Sequence, residues 1–594
     1  MLLSENLFTI LNMENTEKLH NIRHTLAHLL AMAAKEFDPS VQLGIGPVTD
    51  DGFYYDFKFT KVPTLLDLKG FEKSMRKLIN QKLSMEGREI TKPEGEKLFE
   101  GQPFKLELLN EYAGEGKTLT AFTVAEFTDL CKGGHVENTS EIAADAFTLT
   151  RIAGAYWRGS EKNPMLTRIY GYAFENKTEL DAYEHMIEEA KKRDHRKLGK
   201  ELGLFVFSDL VGAGLPLWTP KGTILRELLN DYVWELRKKK GFQKVTIPHI
   251  TRKDLYETSG HWKKFAEELF KIETREGHLY AMKPMNCPHH TQIFASEPRS
   301  YRDMPQRFCE TTMVYRDEQS GELSGLARVL SITQDDAHVF CRENQIEEEA
   351  FAIWDIIDTF YSTFGFKELK VRFSRHDPEQ FEKYLGTPDI WKKAEDALLA
   401  LIEKRGITDY IDGKGEAAMY GPKIDFMSRD SLGRTLQVAT IQLDFNQPKN
   451  FGLVCTNEKG EKETIVMVHC AIMGSIERFT ATLLEHLAGN FPLWLAPTQV
   501  AILPISDAHH EFAKEVNEAL KALDIRTELH CESESLGKKI RSVKVAKIPY
   551  TLVIGDAEVA TKEVTLESRE NGKVGQFSIE KLVLLFNKEI REKN

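Results

Sequence analysis

The chain has 594 residues and a formal net charge of −12 at pH 7, with 41% hydrophobic and 29% charged residues. This length allows three or four domains of about 150 residues, each with a core of its own. The acidic balance excludes any inference of nucleic-acid binding from net charge, so such a partner would have to contact local basic stretches. The candidate stretches are residues 191–200, 238–240 and 538–547, although a solvated helix face is the commoner explanation of each.

The seven cysteines are scattered without short paired spacings, which is typical of reduced thiols rather than of a disulfide framework. No apolar run approaches the roughly 20 residues of a membrane span. The first residues lack the basic stretch and the cleavage site of a signal peptide. We therefore expect a cytoplasmic protein that does not associate with a membrane, in which residues 1–14 form a short tail.

Residues 15–35 predict a helix that carries two histidines, and the Gly, Pro and Asp-Gly turns before alternating aromatic residues over 44–57 indicate strands. A mixed α/β module continues to about residue 175. Charged, helix-favouring residues over 178–202 predict a single connecting helix, which ends near Gly203. A domain boundary is expected there.

Apolar residues at helical spacing predict a helix over 222–240, which Gly241 ends, and a short strand is expected at 245–247. The order of the later elements favours an antiparallel sheet surrounded by helices rather than regular βαβ winding. These elements are strands at 308–315, 328–333 and 435–445, a helix at 345–364, and a strand that turns into a helix around Gly474. From about residue 500 onward, alternating strands and helices predict a small α/β domain.

Two separate sets of cysteine and histidine residues stand out. His24 and His28 lie four residues apart and therefore share one face of the first helix. Cys131 and His135 can close on that pair as a polar cluster suited either to metal binding or to hydrolysis. The residues themselves leave both chemistries open.

The second set, Cys287, His338 and His469, is widely spaced along the chain. Cysteine and histidine are common zinc ligands, and three protein ligands leave one coordination position open for a substrate. A buried side chain satisfied by ordinary hydrogen bonds is the default interpretation of either histidine taken singly. It is a poor explanation of all three residues together.

Several longer stretches resemble the class II aminoacyl-tRNA synthetases. They are "FCETTMVYRDEQSGELSGLARVLSITQDDAHVF" at 308–340, "GSIERF" at 474–479, "KRDHRKLGKELGLF" at 192–205 and "MYGPKIDF" at 419–426. The Cys/His/His set narrows the resemblance to the threonyl-tRNA synthetases, and the resemblance covers nearly the whole chain from about His24 onward. The motifs in this order identify the family far more specifically than any one of them does alone.

The resemblance implies an α+β multidomain fold. Residues 15–177 would form an N-terminal α/β editing domain, and residues 178–202 a linker helix. Residues 203–496 would form a class II catalytic domain around an antiparallel sheet, and residues 497–594 a C-terminal α/β anticodon-binding domain. The ubiquitin-like domain that begins the usual bacterial members is expected to be absent.

Activation of an amino acid by ATP concentrates negative charge on the α-phosphate, which guanidinium groups can stabilise. The resemblance assigns this role to Arg316, with Arg478 holding the distal phosphates and Arg328 assisting. It assigns Glu318 to the adenine edge and implies Mg²⁺ with ATP. His261 matches a histidine implicated in transfer to the tRNA 3′ end, where a neutral imidazole can relay a proton.

The resemblance also assigns Cys287, His338 and His469 to one zinc ion per subunit, which binds the amine and hydroxyl of threonine at its open position. A site that must bind the hydroxyl rejects valine far more strongly than an apolar pocket, which discriminates only about 100-fold. Asp336 would accept the hydroxyl proton. The residues that would shape the pocket are Gln334, Tyr420, Lys423 and Gln437.

Serine keeps the hydroxyl and lacks only a methyl group, so binding alone discriminates against it by about 10–200-fold and a second, hydrolytic site is required. The residues that match the editing site of the family are His24, His28, Cys131 and His135, with Asp129 and Lys105 as helpers. The family's editing site is expected to work without a bound metal, and metal binding stays the alternative.

The stretch "KKIRSVKVAKIPYTLVIGDAEV" at 538–559 resembles an anticodon-binding domain, in which Glu558 best matches a base-reading residue. The helix over 222–240 resembles the first class II motif, which builds a homodimer interface. Several positions depart from the family pattern. They are Ser324 for histidine, Leu330 for arginine, Ile332 for an adenine-stacking phenylalanine, Val438-Ala439 for Cys-Gly, Cys470 for arginine, and Glu567 for an anticodon-reading arginine.

The leading interpretation is an enzyme that forms threonyl-adenylate from ATP and L-threonine, charges tRNA(Thr) and hydrolyses mischarged seryl-tRNA. A tRNA-binding or regulatory paralogue with a decayed ATP pocket is one alternative, and an editing-only hydrolase is another. Intact Arg316, Arg328 and Arg478, together with the three zinc positions, argue against the paralogue.

Overall fold

The computed structural model of the protein describes residues 17–366, 369–429 and 435–593, so the predicted tail over 1–14 lies outside the described residues. The chain divides into two compact units, Met1–Glu188 and Glu189–Asn594. Within the described ranges, no helix combines the length and the apolar character that crossing a bilayer requires.

The first unit contains a five-stranded and a three-stranded sheet, both antiparallel. Its strands are β1 (Gln42–Leu43), β2 (Val48–Thr49), β3 (Gly52–Lys58), β4 (Met85–Glu89), β5 (Thr120–Val124), β6 (Phe127–Leu130), β7 (Phe147–Tyr156) and β8 (Met165–Ala173). Its helices are α1 (Glu17–Phe37), α2 (Leu68–Asn80), α3 (Lys92–Leu98), α4 (Pro103–Gly114) and α5 (Lys177–Arg193), of which α5 continues into the second unit.

Helix α1 packs on the five-stranded sheet, which has the order β1-β3-β8-β7 with β2 beside β3. Alternate residues of β3, namely Phe53, Tyr55 and Phe57, share a buried core with Leu26 and Leu30 of the helix. This packing fixes the rotation of α1 about its axis. It therefore also fixes the direction in which the predicted histidine pair projects.

The second unit contains an eight-stranded sheet, a five-stranded C-terminal sheet and smaller pairings. Its strands are β9 (Phe205–Val206), β10 (Leu217–Trp218), β11 (Gln243–Lys244), β12 (Ile250–Arg252), β13 (Lys271–Glu273), β14 (Leu279–Met282), β15 (Gln306–Tyr315), β16 (Ser331–Cys341), β17 (Lys370–Arg375), β18 (Ile411–Lys414), β19 (Lys423–Arg429), β20 (Thr435–Asp444), β21 (Val454–Thr456), β22 (Lys462–Thr464), β23 (Val466–Ser475), β24 (Val500–Pro504), β25 (Thr527–Leu529), β26 (Tyr550–Ile554), β27 (Val564–Ser568) and β28 (Gly572–Phe577). Its helices are α6 (His195–Glu201), α7 (Pro220–Lys239), α8 (Lys253–Thr258), α9 (His261–Lys264), α10 (Cys287–Ala295), α11 (Ile346–Thr363), α12 (Pro388–Lys404), α13 (Asn446–Asn450), α14 (Ile476–His486), α15 (His510–Lys521), α16 (Leu536–Val545), α17 (Asp556–Thr561) and α18 (Ile579–Glu592).

The eight-stranded sheet has the order β11-β15-β16-β23-β20-β19-β17-β18 and is antiparallel except at its two edge pairs. Helices α7, α11 and α14 share one hydrophobic core with it, in which Leu229, Ile357 and Leu483 are fully buried. The C-terminal sheet has the order β25-β24-β26-β27-β28, with a parallel half and an antiparallel half. The predicted α+β fold with an antiparallel core sheet is confirmed.

Three predicted elements differ from the structure. The strand expected at 328–333 is β16, which begins only at Ser331 and continues to Cys341. The strand expected at 245–247 is wrong, because the strand is β11 and ends before those residues. The connecting helix expected over 178–202 is two helices, α5 and α6, because Asp194 has a ψ of 120° and its side chain accepts a hydrogen bond from the Arg196 N–H. An aspartate in this position is an N-cap signal, so the sequence did contain the break.

Gly52 and Gly70 provide a stability test of the first unit. A Cβ on Gly52 would lie 1.9 Å from the Gly171 carbonyl oxygen, whereas a Cβ on Gly70 would meet nothing within 4 Å. Gly52→Ala should lower the free energy of unfolding by about 2 kcal/mol or more through overpacking. Gly70→Ala, inside α2, should raise it by about 0.5–1 kcal/mol. Urea unfolding of both variants checks this, and a neutral Gly52→Ala would contradict the register of β3 with β8.

Candidate functional site

The Cys/His/His set is assembled by two central strands and the start of one helix. His338 on β16 and His469 on β23 are paired directly across the strands, and Cys287 is the first residue of α10. All three residues are buried, and one ligand atom from each lies within 4.8 Å of the others. Strand register and helix position thus bring together residues that are far apart in the sequence.

Hydrogen bonds orient the two imidazoles. His338 Nδ1 lies 2.8 Å from His290 Nδ1, and His469 Nε2 lies 3.0 Å from the Asp444 carboxylate. The opposite nitrogen of each ring is left for a ligand, and within the described residues His338 Nε2 is buried without a hydrogen-bond partner. One sulfur and two imidazole nitrogens, oriented by outer hydrogen bonds, form a donor set that fits zinc.

Asp336 and Tyr420 lie beside this cluster. The Asp336 carboxylate accepts a hydrogen bond of 3.0 Å from the Asn286 amide and approaches His338 Nε2 to 3.8 Å. Burial raises the pKa of Asp336. The Tyr420 ring lies 5.0 Å from the ring of His469, measured between centroids. The structure therefore brings these two predicted pocket residues to the cluster.

His261 is fully buried, at the start of α9. Its Nδ1 lies 2.8 Å from the Ser259 hydroxyl and its Nε2 lies 3.0 Å from the Met285 sulfur. Burial, with smaller contributions from the imidazole of His469 and the guanidinium of Arg316, lowers the pKa of His261 to about 3. The imidazole is therefore neutral at physiological pH.

Lys423 and Gln437 belong to a polar network centred on Asp425. Lys423 Nζ lies 3.0 Å from the Asp425 carboxylate. Arg372 donates to Asp425 at 3.0 Å and to the Gln437 side-chain oxygen at 3.4 Å. Sequence reasoning missed Asp425 and Arg372, because contacts between β17 and β19 depend on strand register. Gln334 lies on β16 where the pairing with β23 shifts register.

Three arginines form a separate cationic cluster. Burial lowers the pKa of Arg478, and the guanidinium groups of Arg316 and Arg328 lower it further. Arg478 Nε donates to the Ala327 carbonyl at 3.1 Å. Arg316 Nε is buried and has no hydrogen-bond partner in the part of the chain that the structure describes. Arg328 and Arg478 are exposed to solvent, and guanidinium groups held close together at a surface attract an anion, so this cluster is a candidate phosphate site.

The loop between β15 and β16 contains an internal ion pair. Arg328 lies 2.6 Å from Glu318 and 2.8 Å from Glu322. The residue expected at the adenine edge and the auxiliary arginine therefore form an ion pair with each other. Leu330, one of the departures from the family pattern, ends this loop with a backbone hydrogen bond of 2.8 Å to the Gly214 carbonyl.

In the first unit, the structure forms the other predicted cluster. The Nε2 atoms of His24 and His135 lie 3.3 and 3.2 Å from the Cys131 sulfur, and the rings of His28 and His135 are 4.7 Å apart. The two glycines before His135 have φ angles of 100° and 83°, which lets the loop turn back onto α1. One ligand atom from each of the four residues lies within 4.8 Å of the others, so metal binding stays an alternative here.

Asp129 anchors this cluster. Its carboxylate accepts a hydrogen bond of 2.6 Å from the Tyr55 hydroxyl, lies 3.3 Å from His28 Nδ1 and forms an ion pair with Lys105. Asp129 and Lys105 are each 2% exposed, so the two charges are buried as a pair. Sequence reasoning missed Tyr55, although its place between two core aromatic residues of β3 predicts a buried hydroxyl that needs a partner.

The ionisation states of the cluster suit hydrolysis. Burial lowers the pKa values of His24 and His28, lowers that of His135 to about 2 and raises that of Cys131 to about 11. At neutral pH the three imidazoles are uncharged and the thiol is protonated. A cavity of about 520 Å³ opens onto His24 and Cys131, which is in the range of small-molecule sites. Neutral imidazoles beside such a cavity can accept a proton from water.

Glu558 lies in the first turn of α17 in the C-terminal domain. Its carboxylate accepts hydrogen bonds from the Gly555 N–H at 2.9 Å and from the Thr565 hydroxyl at 2.6 Å. Both carboxylate oxygens are thus engaged within the domain, as in a helix cap. Glu567 lies on β27 opposite Lys573 of β28.

Three family models match the chain. "tRNA synthetase class II core domain (G, H, P, S and T)" matches residues 270–487, "Anticodon binding domain" matches 499–589, and "Threonyl and Alanyl tRNA synthetase second additional domain" matches 119–170. The first of these ranges contains both the Cys/His/His set and the arginine cluster. The fold and these sites therefore define a class II aminoacyl-tRNA synthetase.

Known relatives narrow this class. The threonine–tRNA ligase of Synechococcus elongatus is 43% identical over 585 residues, which cover 97% of this chain and 96% of the relative. That of Porphyromonas gingivalis is 45% identical over 583 residues, which cover 97% of this chain and 88% of the relative. The chain belongs to the threonine–tRNA ligase family. The RNA-binding domain of the threonyl-tRNA synthetase of Cryptosporidium parvum matches with a TM-score of 0.64 and 37% identity, over 67% of this chain and 98% of that chain.

The neutral state of His28 makes the stability of the first unit depend on pH. Burial holds the pKa of His28 well below 6.5 in the folded protein. The unfolded chain binds a proton at this residue near its ordinary pKa, so as the pH falls the unfolded state binds more protons than the folded state. Stability should therefore fall between pH 7 and pH 5, by roughly 2 kcal/mol from this imidazole at pH 5.

His28→Gln should remove this contribution and reduce the fall in the unfolding free energy between pH 7 and pH 5 by roughly 2 kcal/mol, while His24 and His135 keep theirs. His20→Gln, an exposed position of the same helix, should leave the dependence unchanged. Urea unfolding of the three proteins at pH 7 and pH 5 measures the difference. A His28→Gln protein as sensitive to pH as the wild type would show that this imidazole is not held neutral.

Proposed function

We propose that the chain attaches L-threonine to tRNA(Thr) through threonyl-adenylate and hydrolyses seryl-tRNA formed in error. The observation that carries the proposal is the buried set of Cys287, His338 and His469 beside Asp336, in the unit that also holds the arginine cluster. Membership of the threonine–tRNA ligase family supports it. The enzyme would act in the cytoplasm.

In activation, a carboxylate oxygen of threonine attacks the α-phosphorus of ATP, and the bond to pyrophosphate breaks. Mg²⁺ accompanies the nucleotide. Arg316 would contact the α-phosphate and the threonine carboxylate, and Arg478 the distal phosphates, where negative charge increases. Arg328 would assist and Glu318, which forms an ion pair with it, would hold the adenine edge. Phosphate binding would relieve the repulsion that lowers the pKa of Arg478.

We propose that Cys287, His338 and His469 hold one zinc ion per subunit. When bound, the ion supplies a Lewis acid with an open position for the amine and hydroxyl of threonine. Asp336 would accept the hydroxyl proton, and the amide of Asn286 holds its carboxylate in place. Valine offers no hydroxyl to this carboxylate, which would be left unpaired in a buried site, so valine is rejected.

The other predicted pocket residues divide into two groups. Tyr420 and Gln334 would line the threonine pocket directly. Lys423 and Gln437 would act through the network around Asp425, because Asp425 or its partner Arg372 contacts each of them. Their effect would be to hold β19 and β20 in register beneath the pocket.

In transfer, the 3′-terminal hydroxyl of the tRNA attacks the carbonyl carbon of threonyl-adenylate, an ester bond forms and AMP leaves. We propose that the neutral imidazole of His261 relays the hydroxyl proton. The Ser259 hydroxyl holds the ring through Nδ1, and Nε2 contacts the Met285 sulfur. Nε2 is the nitrogen that would face the substrate.

In editing, the ester of seryl-tRNA would enter the 520 Å³ cavity of the first unit. Water adds to the ester carbonyl, the bond to the ribose oxygen breaks, and serine leaves. The neutral imidazole of His24, which lines the cavity, would accept the water proton and return it to the departing ribose oxygen. The buried imidazole of His28 would position His24. Cys131, with a pKa of about 11, would donate a hydrogen bond rather than attack as a thiolate. Asp129 and Lys105 would orient His28.

We also propose a homodimer. The segment between β9 and β10 exposes apolar residues just before α7, with Phe207 43% and Leu210 100% exposed. Large apolar side chains on a surface are typical of an interface. A second copy of the chain would cover this segment, as the resemblance of α7 to the first class II motif implies.

The C-terminal domain would contact the anticodon. Because both carboxylate oxygens of Glu558 accept hydrogen bonds within the domain, we propose that this residue stabilises the conformation of the 555–565 segment. The relatives and the family models do not favour the two alternatives from the sequence analysis, a non-enzymatic tRNA-binding paralogue and an editing-only hydrolase. A single exchange assay separates them from the ligase.

Threonine-dependent exchange of labelled pyrophosphate into ATP tests the ligase function. The wild type should catalyse exchange with threonine and far less with valine. Asp336→Ala or removal of the metal should reduce the rate by about 100-fold or more, because the threonine hydroxyl loses its partner. Asp389→Ala, which removes an exposed carboxylate at the start of α12, is the control. Normal threonine activation by a protein shown to be zinc-free would reject the pocket assignment.

Hydrolysis of preformed seryl-tRNA tests the editing function. His24→Ala and Cys131→Ser should each slow deacylation by about 10-fold or more, because a proton acceptor or a positioned donor is lost. Threonine exchange should stay within twofold of the wild type, since the two sites lie in different units. His185→Ala, an exposed histidine of the first unit, should change neither rate. Unchanged deacylation in a His24→Ala, Cys131→Ser double variant would remove the editing assignment.

A further inference from the structure

The pairing of β16 with β23 is irregular beside the arginine cluster. The register shifts between Gln334 and Asp336, so that Asp335 alone faces the three residues 472–474 of β23. A bulge of this kind bends the strand and redirects the chain that follows it. Here the chain that follows is α14, which carries Arg478.

The side chain of Asp335 fills this bulge. Its carboxylate accepts hydrogen bonds from the N–H groups of Ile472, Met473 and Gly474, at 3.0, 3.1 and 2.9 Å. Asp335 is fully buried. The carboxylate thus replaces the strand-to-strand hydrogen bonds that the bulge interrupts, and it fixes the turn into α14.

A buried carboxylate needs a cation, and Arg237 of α7 supplies it. The Arg237 Nη2 atom donates to the Asp335 carbonyl oxygen at 3.0 Å and lies 3.4 Å from its carboxylate. The Arg237 side chain is only 2% exposed. Removal of one member of a buried pair leaves the other charge uncompensated, so Asp335 depends on this arginine.

Cys470 lies on the same side of β23 as this pair. Successive side chains of a strand point to opposite faces, so Cys470 points away from the face on which His469 meets the candidate zinc site. The thiol is 1% exposed, and the Arg237 guanidinium opposes the rise in its pKa that burial causes. A cationic side chain at position 470 would therefore approach Asp335 from β23, whereas Arg237 approaches it from α7.

We propose that Arg237 is a positioning residue for amino-acid activation: through Asp335 it fixes the turn at 472–474 and so sets where Arg478 meets the phosphates of ATP. The inference rests on the proposed ligase function. Arg237 does not touch the substrate. A purely structural arginine would affect stability alone, whereas a positioning arginine changes how the enzyme uses ATP.

Steady-state ATP–pyrophosphate exchange by Arg237→Met tests this proposal. The KM for ATP should rise about tenfold or more, whereas the KM for threonine should change less than threefold, because Asp336 projects from the opposite face of β16. Arg237→Lys keeps the charge and should give an intermediate KM for ATP. Lys239→Met, which removes an exposed cation of the same helix, should leave both constants unchanged.

Moving the cation gives a sharper test than removing it. Arg237→Leu combined with Cys470→Arg transfers the guanidinium from α7 to β23 and keeps the net charge. The double variant should return the KM for ATP to within fivefold of the wild type, while Arg237→Leu alone should not. Circular dichroism and zinc content confirm that each variant is folded and that the metal site is intact.

An unchanged KM for ATP in folded Arg237→Met overturns the inference, and so does an equal rise in the KM values for ATP and threonine. If Arg237→Met does not fold, the double variant decides, because a KM for ATP more than fivefold above the wild type would overturn the inference. If neither folds, Arg237→Lys decides, and a wild-type KM for ATP overturns it. A wild-type protein without threonine-dependent exchange rejects the proposed function instead, so the two failures are distinguishable.

Discussion

Charges that leave water must be paired within the protein, and both units are organised around this constraint. In the central sheet, the adjacent residues Asp335 and Asp336 project to opposite faces of β16 and are both buried. Arg237 compensates one of them, and the Asn286 amide holds the other. The same strand can therefore fix the backbone on one face and present a carboxylate to the candidate metal cluster on the other.

The first unit meets the constraint in a different way. Asp129 takes its cation from Lys105, and the hydroxyl of Tyr55 and the ring of His28 use the remaining capacity of its carboxylate. The cluster is then neutral, which suits the addition of water to an ester. The arginine cluster of the second unit keeps an excess of positive charge, which an anion such as ATP can compensate. The balance of charge thus distinguishes the candidate hydrolytic site from the candidate nucleotide site within one chain.

How much the sequence predicted depends on whether an interaction is local. The four-residue spacing of His24 and His28 predicted one helical face, because helical periodicity is set within a few residues. The family resemblance grouped the widely spaced Cys287, His338 and His469, and the structure places them beside one another. Contacts that depend on strand register, such as Asp335 with 472–474 or Arg372 with Asp425, were not predictable, since one residue of slip reverses the faces. The break at Asp194 was predictable, because its signal is local.

The protonated state of Cys131 bears on the chemical durability of the protein. Peroxides oxidise the thiolate form of cysteine, and the protonated thiol reacts slowly. With a pKa of about 11, only about one Cys131 side chain in ten thousand is ionised at pH 7. The high pKa that suits hydrogen-bond donation in the candidate editing site therefore also lowers the reactivity of this sulfur toward peroxides at neutral pH.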